Sequence, residues 1–122
     1  MRKDSVNISE AELEIMKVLW SLQKPVTAQD VSGILENKAW KYSTIATLFS
    51  RLVEKGAVSY EKKGRFFYYT PLISEKEYQQ VQTKNFVSKL YNGSVKNLVV
   101  SLFENQQMSE QDLEELKKRF DL

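Results

Sequence analysis

The chain has 122 residues, 42% of them hydrophobic, with 18 basic and 16 acidic side chains and a formal charge of +2. That suffices for one compact domain, or a small domain with an oligomerisation arm, and is too apolar for wholesale disorder. Cysteine and histidine are both absent, which removes disulfides, thiolate ligands, the commonest general base and the commonest transition-metal ligand.

The four glycines form neither GxGxxG nor a phosphate-binding loop, so no enzyme, metal site or cofactor is expected. No window approaches the ~18 apolar residues of a membrane span. The start, MRKDSVNISEAE, turns acidic where a secretory leader turns apolar. The expectation is a cytoplasmic protein without membrane insertion.

Ser9 and Glu12 form a capping box for a helix that runs to about Ser21, with Leu13, Met16, Leu19 and Trp20 at helical spacing. Lys24-Pro25 ends it. Val26 reads as a single extended residue able to pair with a later hairpin. Thr27 and Asp30 open a second helix that carries Ala28, Val31, Ile34 and Leu35 inward and stops near Asn37.

A third helix spans about Tyr42 to Lys55. Ile45, Leu48, Phe49 and Leu52 form its apolar face, and Gly56 stands where a left-handed cap belongs. The other face carries Ser43, Thr44, Ala46, Thr47, Ser50 and Arg51. Two strands follow, about Val58–Lys62 and Arg65–Thr70, joined at Lys63-Gly64. Phe66 to Tyr69 put aromatics on both ribbon faces, and Pro71 closes the sheet. Trp20 and Trp40 read as packing residues.

From Lys38 to Arg65 there are seven cations against two anions, whereas from Ser74 onward eight anions face seven cations. The positive excess therefore sits on the helix–hairpin unit, as a polyanion contact requires. The fold expected for residues 1–73 is mostly α with a small β-wing: a winged helix-turn-helix. Its third helix suits a major groove, because the outward side chains are short. Thr44, Thr47 and Ser50 offer hydroxyls to phosphate, base edges or a thymine methyl. Arg51 is the long donor, for guanine or phosphate. Lys62, Lys63 and Arg65 at the wing tip would neutralise phosphates without choosing sequence.

Residues 74–122 read as three helices. Ser74 and Glu77 box the first, which ends at Asn92-Gly93 and carries Val81, Phe86, Val87 and Leu90. Val95, Leu98, Val99, Leu102 and Phe103 mark the second. Ser109 caps the third, with Leu113, Leu116 and Phe120. About 49 residues enclose little core of their own. A dimerisation region is therefore expected, with Phe86, Leu90, Leu98, Leu102, Phe103, Leu113 and Leu116 at a two-fold interface; folding back on the first domain is the alternative.

The segments ISEAELEIMKVLW, KYSTIATLFSRLVEKG and FFYYTPLISEKEY resemble the penicillinase-repressor family (BlaI/MecI/CopY) of bacteria. KNFVSKLYNGSVKNLVVSLFENQQMSEQDLEELKK is similar to that family's dimerisation region, so the resemblance covers nearly the whole chain. It implies a homodimeric repressor on double-stranded inverted-repeat operators, commonly with TACA/TGTA half-sites. The regulated genes would be those of β-lactamase, methicillin resistance or copper export.

It also implies that Thr44, Thr47 and Arg51 contact DNA, while Ala46 stands where the family has a basic residue. Release in the β-lactam branch follows a membrane sensor-protease pathway that cuts an Asn-Phe bond, where this chain has Ser101-Leu102. The copper branch uses cysteines that this chain lacks. Two other readings stay open: a winged-helix module that binds protein, and a ligand-responsive regulator of another winged-helix family.

Overall fold

A computed structural model describes residues 6–120, the side chain of Phe120 excepted. It divides into two compact units at Gln79/Gln80.

In the first unit, α1 (Glu10–Leu22) starts as its capping box dictates. Ser9 Oγ accepts from the Glu12 amide at 3.2 Å and Glu12 Oε1 accepts from the Ser9 amide at 2.8 Å. Gln23 takes a left-handed conformation and the chain turns out through Lys24-Pro25. Val26 then pairs with Tyr69 in an isolated antiparallel bridge, through bonds of 3.1 and 2.7 Å, so the extended residue does join the hairpin.

The second box, Thr27 with Asp30, opens α2 (Ala28–Ile34), and a 3-10 turn follows at Glu36–Lys38. Ile34 departs from expectation: it is 51% exposed, whereas Ala28, Val31 and Leu35 are buried. Those three set the inward stripe of a helix only seven residues long, and Ile34 falls on its flank.

The third helix, α3 (Tyr42–Glu54), buries Ile45, Leu48, Phe49 and Leu52. Gly56 ends it at φ +78. The Gly56 amide donates to Val53 O and the Ala57 amide to Leu52 O, each at 3.0 Å. That pair is a Schellman motif, and a side chain at Gly56 would strain it.

Strands β1 (Val58–Lys63) and β2 (Phe66–Pro71) pair antiparallel, from Val58 with Pro71 to Lys63 with Phe66. The two tip residues are thus Gly64 and Arg65, not Lys63-Gly64. With φ +63 at the first tip position, the turn follows the type II′ pattern, in which glycine leads.

One core unites these elements. Phe49, Ile15, Met16, Leu19, Ile45, Leu52, Ile73, Val26, Val31 and Val58 are each under 2% exposed. Phe49 stacks on Tyr69 with centroids 4.0 Å apart, which fastens the wing base to α3. Trp20 Nε1 donates to Ile73 O at 2.9 Å, and Trp20 and Trp40 pack against the core.

Helix α4 (Glu75–Tyr91) starts at the Ser74–Glu77 box. Its first residues belong to the first unit, where Tyr78 lies 5.8 Å from Trp20. In the second unit α4 ends at Asn92 and Gly93, both at positive φ. Ser94 caps α5 (Val95–Glu104), and Ser109 with Asp112 boxes α6 (Glu110–Phe120). Tyr91 Oη donates to Ser101 Oγ at 3.1 Å, joining α4 to α5.

Val87 is buried and Val81 half-buried, while Phe86, Leu90, Val95, Val100 and Phe103 are 38–59% exposed. Leu98, Leu102, Leu113 and Leu116 are half-buried. The Phe120 side chain, expected on this apolar face, lies outside the described residues.

Candidate nucleic-acid interface

With the apolar stripe of α3 turned inward, Ser43, Thr44, Thr47, Ser50 and Arg51 are all exposed. The hydroxyls are not idle. Thr47 Oγ1 donates to Ser43 O at 2.9 Å, and Ser50 Oγ donates to Ala46 O at 3.1 Å. Each therefore satisfies its proton within the helix and leaves oxygen lone pairs, plus the Thr47 methyl, facing out. Among the described residues Arg51 forms no salt bridge with Glu54 or Glu36, so its guanidinium stays available. The N-cap Lys41 supplies no side-chain acceptor for the first amides of α3, unlike Ser9 and Thr27 at α1 and α2.

Ala46 is half-buried rather than outermost. It lines a cleft of about 300 Å³ between α3 and the wing, with Tyr42, Ser50, Arg65, Phe66 and Phe67 among the walls. A neighbouring cleft of similar size lies among Ser50, Val53, Tyr60, Phe67 and Tyr69. Tyr42, Tyr60, Phe66 and Phe67 are 42–55% exposed, an aromatic border to the helix that outward-face counting on α3 had not singled out.

On the wing, Lys62 Nζ lies 5.7 Å from the Phe67 ring centroid and Lys63 Nζ 5.9 Å from that of Tyr68. These rings steady the exposed ammonium groups at the tip, beside Arg65. Tyr69 instead packs on Phe49. Burial, then the neighbouring Tyr42 and Tyr60, push its phenol above the ordinary range, so it stays protonated.

Lys55 does not serve this surface. Its Nζ reaches Glu12 Oε1 at 2.5 Å and Asn7 O at 2.7 Å, tying the end of α3 to the start of α1. Glu12 is 1% exposed. Burial works to raise its pKa, but the Lys55 hydrogen bond, then those from Ser9, outweigh it and hold the carboxyl below its usual value. No local pattern signals a pair 43 positions apart; the glutamate reads only as a capping residue.

Among the described residues no group of three or more acidic, histidine or cysteine side chains is placed to hold a metal, and no helix is long and apolar enough to cross a membrane.

The sequence matches the family described as penicillinase repressor over residues 8–121. A penicillinase repressor of Bacillus licheniformis is 38% identical over 109 residues, covering 89% of this chain and 85% of that protein. The methicillin resistance regulatory protein MecI of Staphylococcus aureus (strain N315) is 32% identical over 117 residues, covering 96% and 95%. Among solved structures, the DNA-binding domain of the repressor BlaI superposes with a TM-score of 0.56 at 42% identity, over 64% of this chain and 94% of that one. The Bacillus licheniformis BlaI monomer in complex with the blaP half-operator gives 0.50 at 42%, over 59% and 88%. With the family match over residues 8–121 spanning nearly its whole length, the chain belongs to the penicillinase-repressor family.

Proposed function

We propose that the chain is a DNA-binding transcriptional repressor that acts as a homodimer on an inverted-repeat operator and blocks a promoter. The observation that carries this reading is the outward face of α3. From Ser43 to Ser50 it carries no bulky group, with Arg51 at one flank, and it is bordered by a wing whose tip holds Lys62, Lys63 and Arg65. A helix so dressed enters a major groove while the wing lies on the adjoining backbone.

Ser43, Thr44, Thr47, Ser50 and Arg51 are assigned to the groove, Ala46 to its wing-side edge, and the three wing cations to phosphates. The complex of BlaI with a half-operator lends support through a relative.

Dimerisation is assigned to the second unit. Phe86, Leu90 and Phe103 are exposed there, and Val95 and Val100 extend the same kind of surface. Leu98, Leu102, Leu113 and Leu116, half-buried, are assigned to the same interface. Two copies would set their α3 helices about 34 Å apart, one turn of duplex.

Release is assigned to a break in this arm, since uncoupled half-sites lose their effective concentration. The Ser101-Leu102 bond lies inside α5, with Ser101 O accepting from the Asn105 amide and from Asn105 Nδ2. A sensor-activated protease would therefore reach it only after local opening of that helix.

A second reading is favoured by the exposed rings Tyr42, Tyr60, Phe66 and Phe67: the same surface as a dock for a protein partner. Selection of duplexes from a random pool by the pure protein decides. Recovery of paired palindromic half-sites, bound with steep salt dependence, supports the repressor. Failure to enrich any sequence, with salt-insensitive binding to a protein, would overturn it.

A further inference from the structure

We propose that the cleft between α3 and the wing binds a small aromatic carboxylate, and that its occupant loosens the hold on DNA. Binding needs nothing of the repressor reading above; the effect on DNA rests on it. The cleft, about 300 Å³, is walled by the rings of Tyr42, Phe66, Phe67 and Tyr69, with Arg65 its one charged wall among the described residues. Arg65 forms no ion pair among those residues. Asp30 is not a wall, and its carboxylate is taken by the Thr27 amide at 3.1 Å. The charge on offer is positive and unneutralised.

Uncharged donors complete the site. Thr27, another wall, is only 7% exposed. Its Oγ1 accepts from the Asp30 amide at 3.0 Å, which uses a lone pair and leaves the hydroxyl proton to give. Tyr69 keeps its phenolic proton, because burial raises its pKa. Guanidinium, alcohol and phenol donors with no facing carboxylate suit an acceptor-only anion.

The rings decide the rest of the ligand. Aromatic walls stack on a flat ring or meet its edge, whereas they strip water from a bare inorganic anion without replacing it. The volume is at the lower limit for small-molecule pockets, so a single ring is what fits. Two walls are fixed beforehand. Tyr69 lies on Phe49 with centroids 4.0 Å apart, and Phe67 meets Tyr60 edge-on at 5.2 Å. A ligand entering there has little protein left to order.

Occupancy has a direction. Ala46 and Ser50 bring α3 to the same cleft, and Arg65 is assigned to phosphate. A carboxylate seated there takes the guanidinium and adds negative charge beside the groove. Ligand and duplex then weaken each other by the same factor.

The probe is benzoate, with benzamide as its uncharged isostere and inorganic phosphate as the bare anion, each titrated into the full chain. In NMR spectra benzoate should shift the amides of Ala28, Ala46, Phe66 and Phe67 with a Kd of about 1 mM, the scale of a one-ring fragment. Benzamide and phosphate should bind about ten-fold more weakly. Arg65→Gln should lose about ten-fold in benzoate affinity, and Phe66→Ala about three-fold. Both side chains are exposed, so melting temperatures should hold. At constant ionic strength, saturating benzoate should weaken operator binding by the wild type about five-fold or more, and leave that of Arg65→Gln unchanged.

Absence of shifts at about 10 mM benzoate, ten times the expected Kd, would overturn the site. Shifts confined to the second unit, or equal affinity for benzamide, would do the same. Phosphate binding as tightly as benzoate would also overturn it, and mark the cleft as a seat for the DNA backbone. Benzoate that binds in the cleft yet leaves operator affinity unchanged removes the loosening role. If selection enriches no duplex at all, the repressor reading falls with its operator effect, and the amide shifts alone uphold or overturn the site.

Discussion

Lys55 and Glu12 set the energetics of the α1–α3 junction at the level of single side chains. Glu12 is almost wholly buried, with Oε2 lacking a hydrogen-bond partner among the described residues, while the Lys55 side chain is 31% exposed. Lys55→Met should cost about 2–3 kcal/mol in urea unfolding at neutral pH. That is below the ~3–5 kcal/mol of a fully enclosed pair, because Glu12 keeps its bond from the Ser9 amide.

The pH dependence has a definite sign. The folded carboxyl titrates below the ordinary 4.5, so its contribution is complete above that value and is lost as pH falls through the lower, folded one. The stability gap between wild type and Glu12→Gln, measured at pH 7 and again near pH 3, should therefore shrink on acidification; a gap that widens would contradict the assignment.

Arg51 and Lys63 separate two kinds of recognition. Arg51→Ala should weaken operator binding by about 1–3 kcal/mol and relax one base position. An unchanged footprint would reassign it to structure. Lys63→Ala should weaken operator and random duplex alike and lower the salt slope by about one unit.

Among elements, the wing is the part whose placement depends most on a few contacts. Tyr69 stacks on Phe49 from one side of the sheet and bridges Val26 through its backbone. Tyr69→Ala should lower stability by about 2–3 kcal/mol and speed tryptic cleavage at Lys62 or Lys63. Unaltered digestion would mean that the hairpin holds without the stack.

The helices were largely readable from the chain because their signals are local. Ser9–Glu12, Thr27–Asp30, Ser74–Glu77 and Ser109 each mark a start observed within a residue, and Gly56 marks the stop of α3. The hairpin tip was displaced by one residue for a physical reason. Glycine can occupy either position of a two-residue turn, and here pairing of Tyr60 with Tyr69 and Lys63 with Phe66 fixes it at the first. Ile34 and the Glu12–Lys55 pair escaped because tertiary packing, not neighbouring sequence, decides them. On the site, the outward face of α3 was legible from its 3.6-residue period. The internal bonds of Thr47 and Ser50 and the cleft beside Ala46 were not, since hydroxyl rotamers and strand placement leave no trace in spacing.

At the level of the whole molecule, the second unit carries much of its apolar surface outward. Leu90 is 59% exposed, so a charge there scarcely disturbs a lone protomer but would enter the proposed two-fold interface. Leu90→Asp should sediment as a monomer at micromolar concentration and bind a full operator no better than a half-site. A variant that stays dimeric with helicity intact would move the interface elsewhere on this unit.

The Val26–Tyr69 bridge carries one further consequence. It nails the ribbon at the level of the Tyr60–Tyr69 pair, leaving Glu61–Tyr68, Lys62–Phe67 and Lys63–Phe66 to project beyond the clamp. At about 3.3 Å per residue that is a stub of roughly 10 Å, close to the distance over which ~0.1 M salt damps a charge. The tip is thus a short stub held close to its clamp, and its ammonium groups are felt mainly by an adjacent anion.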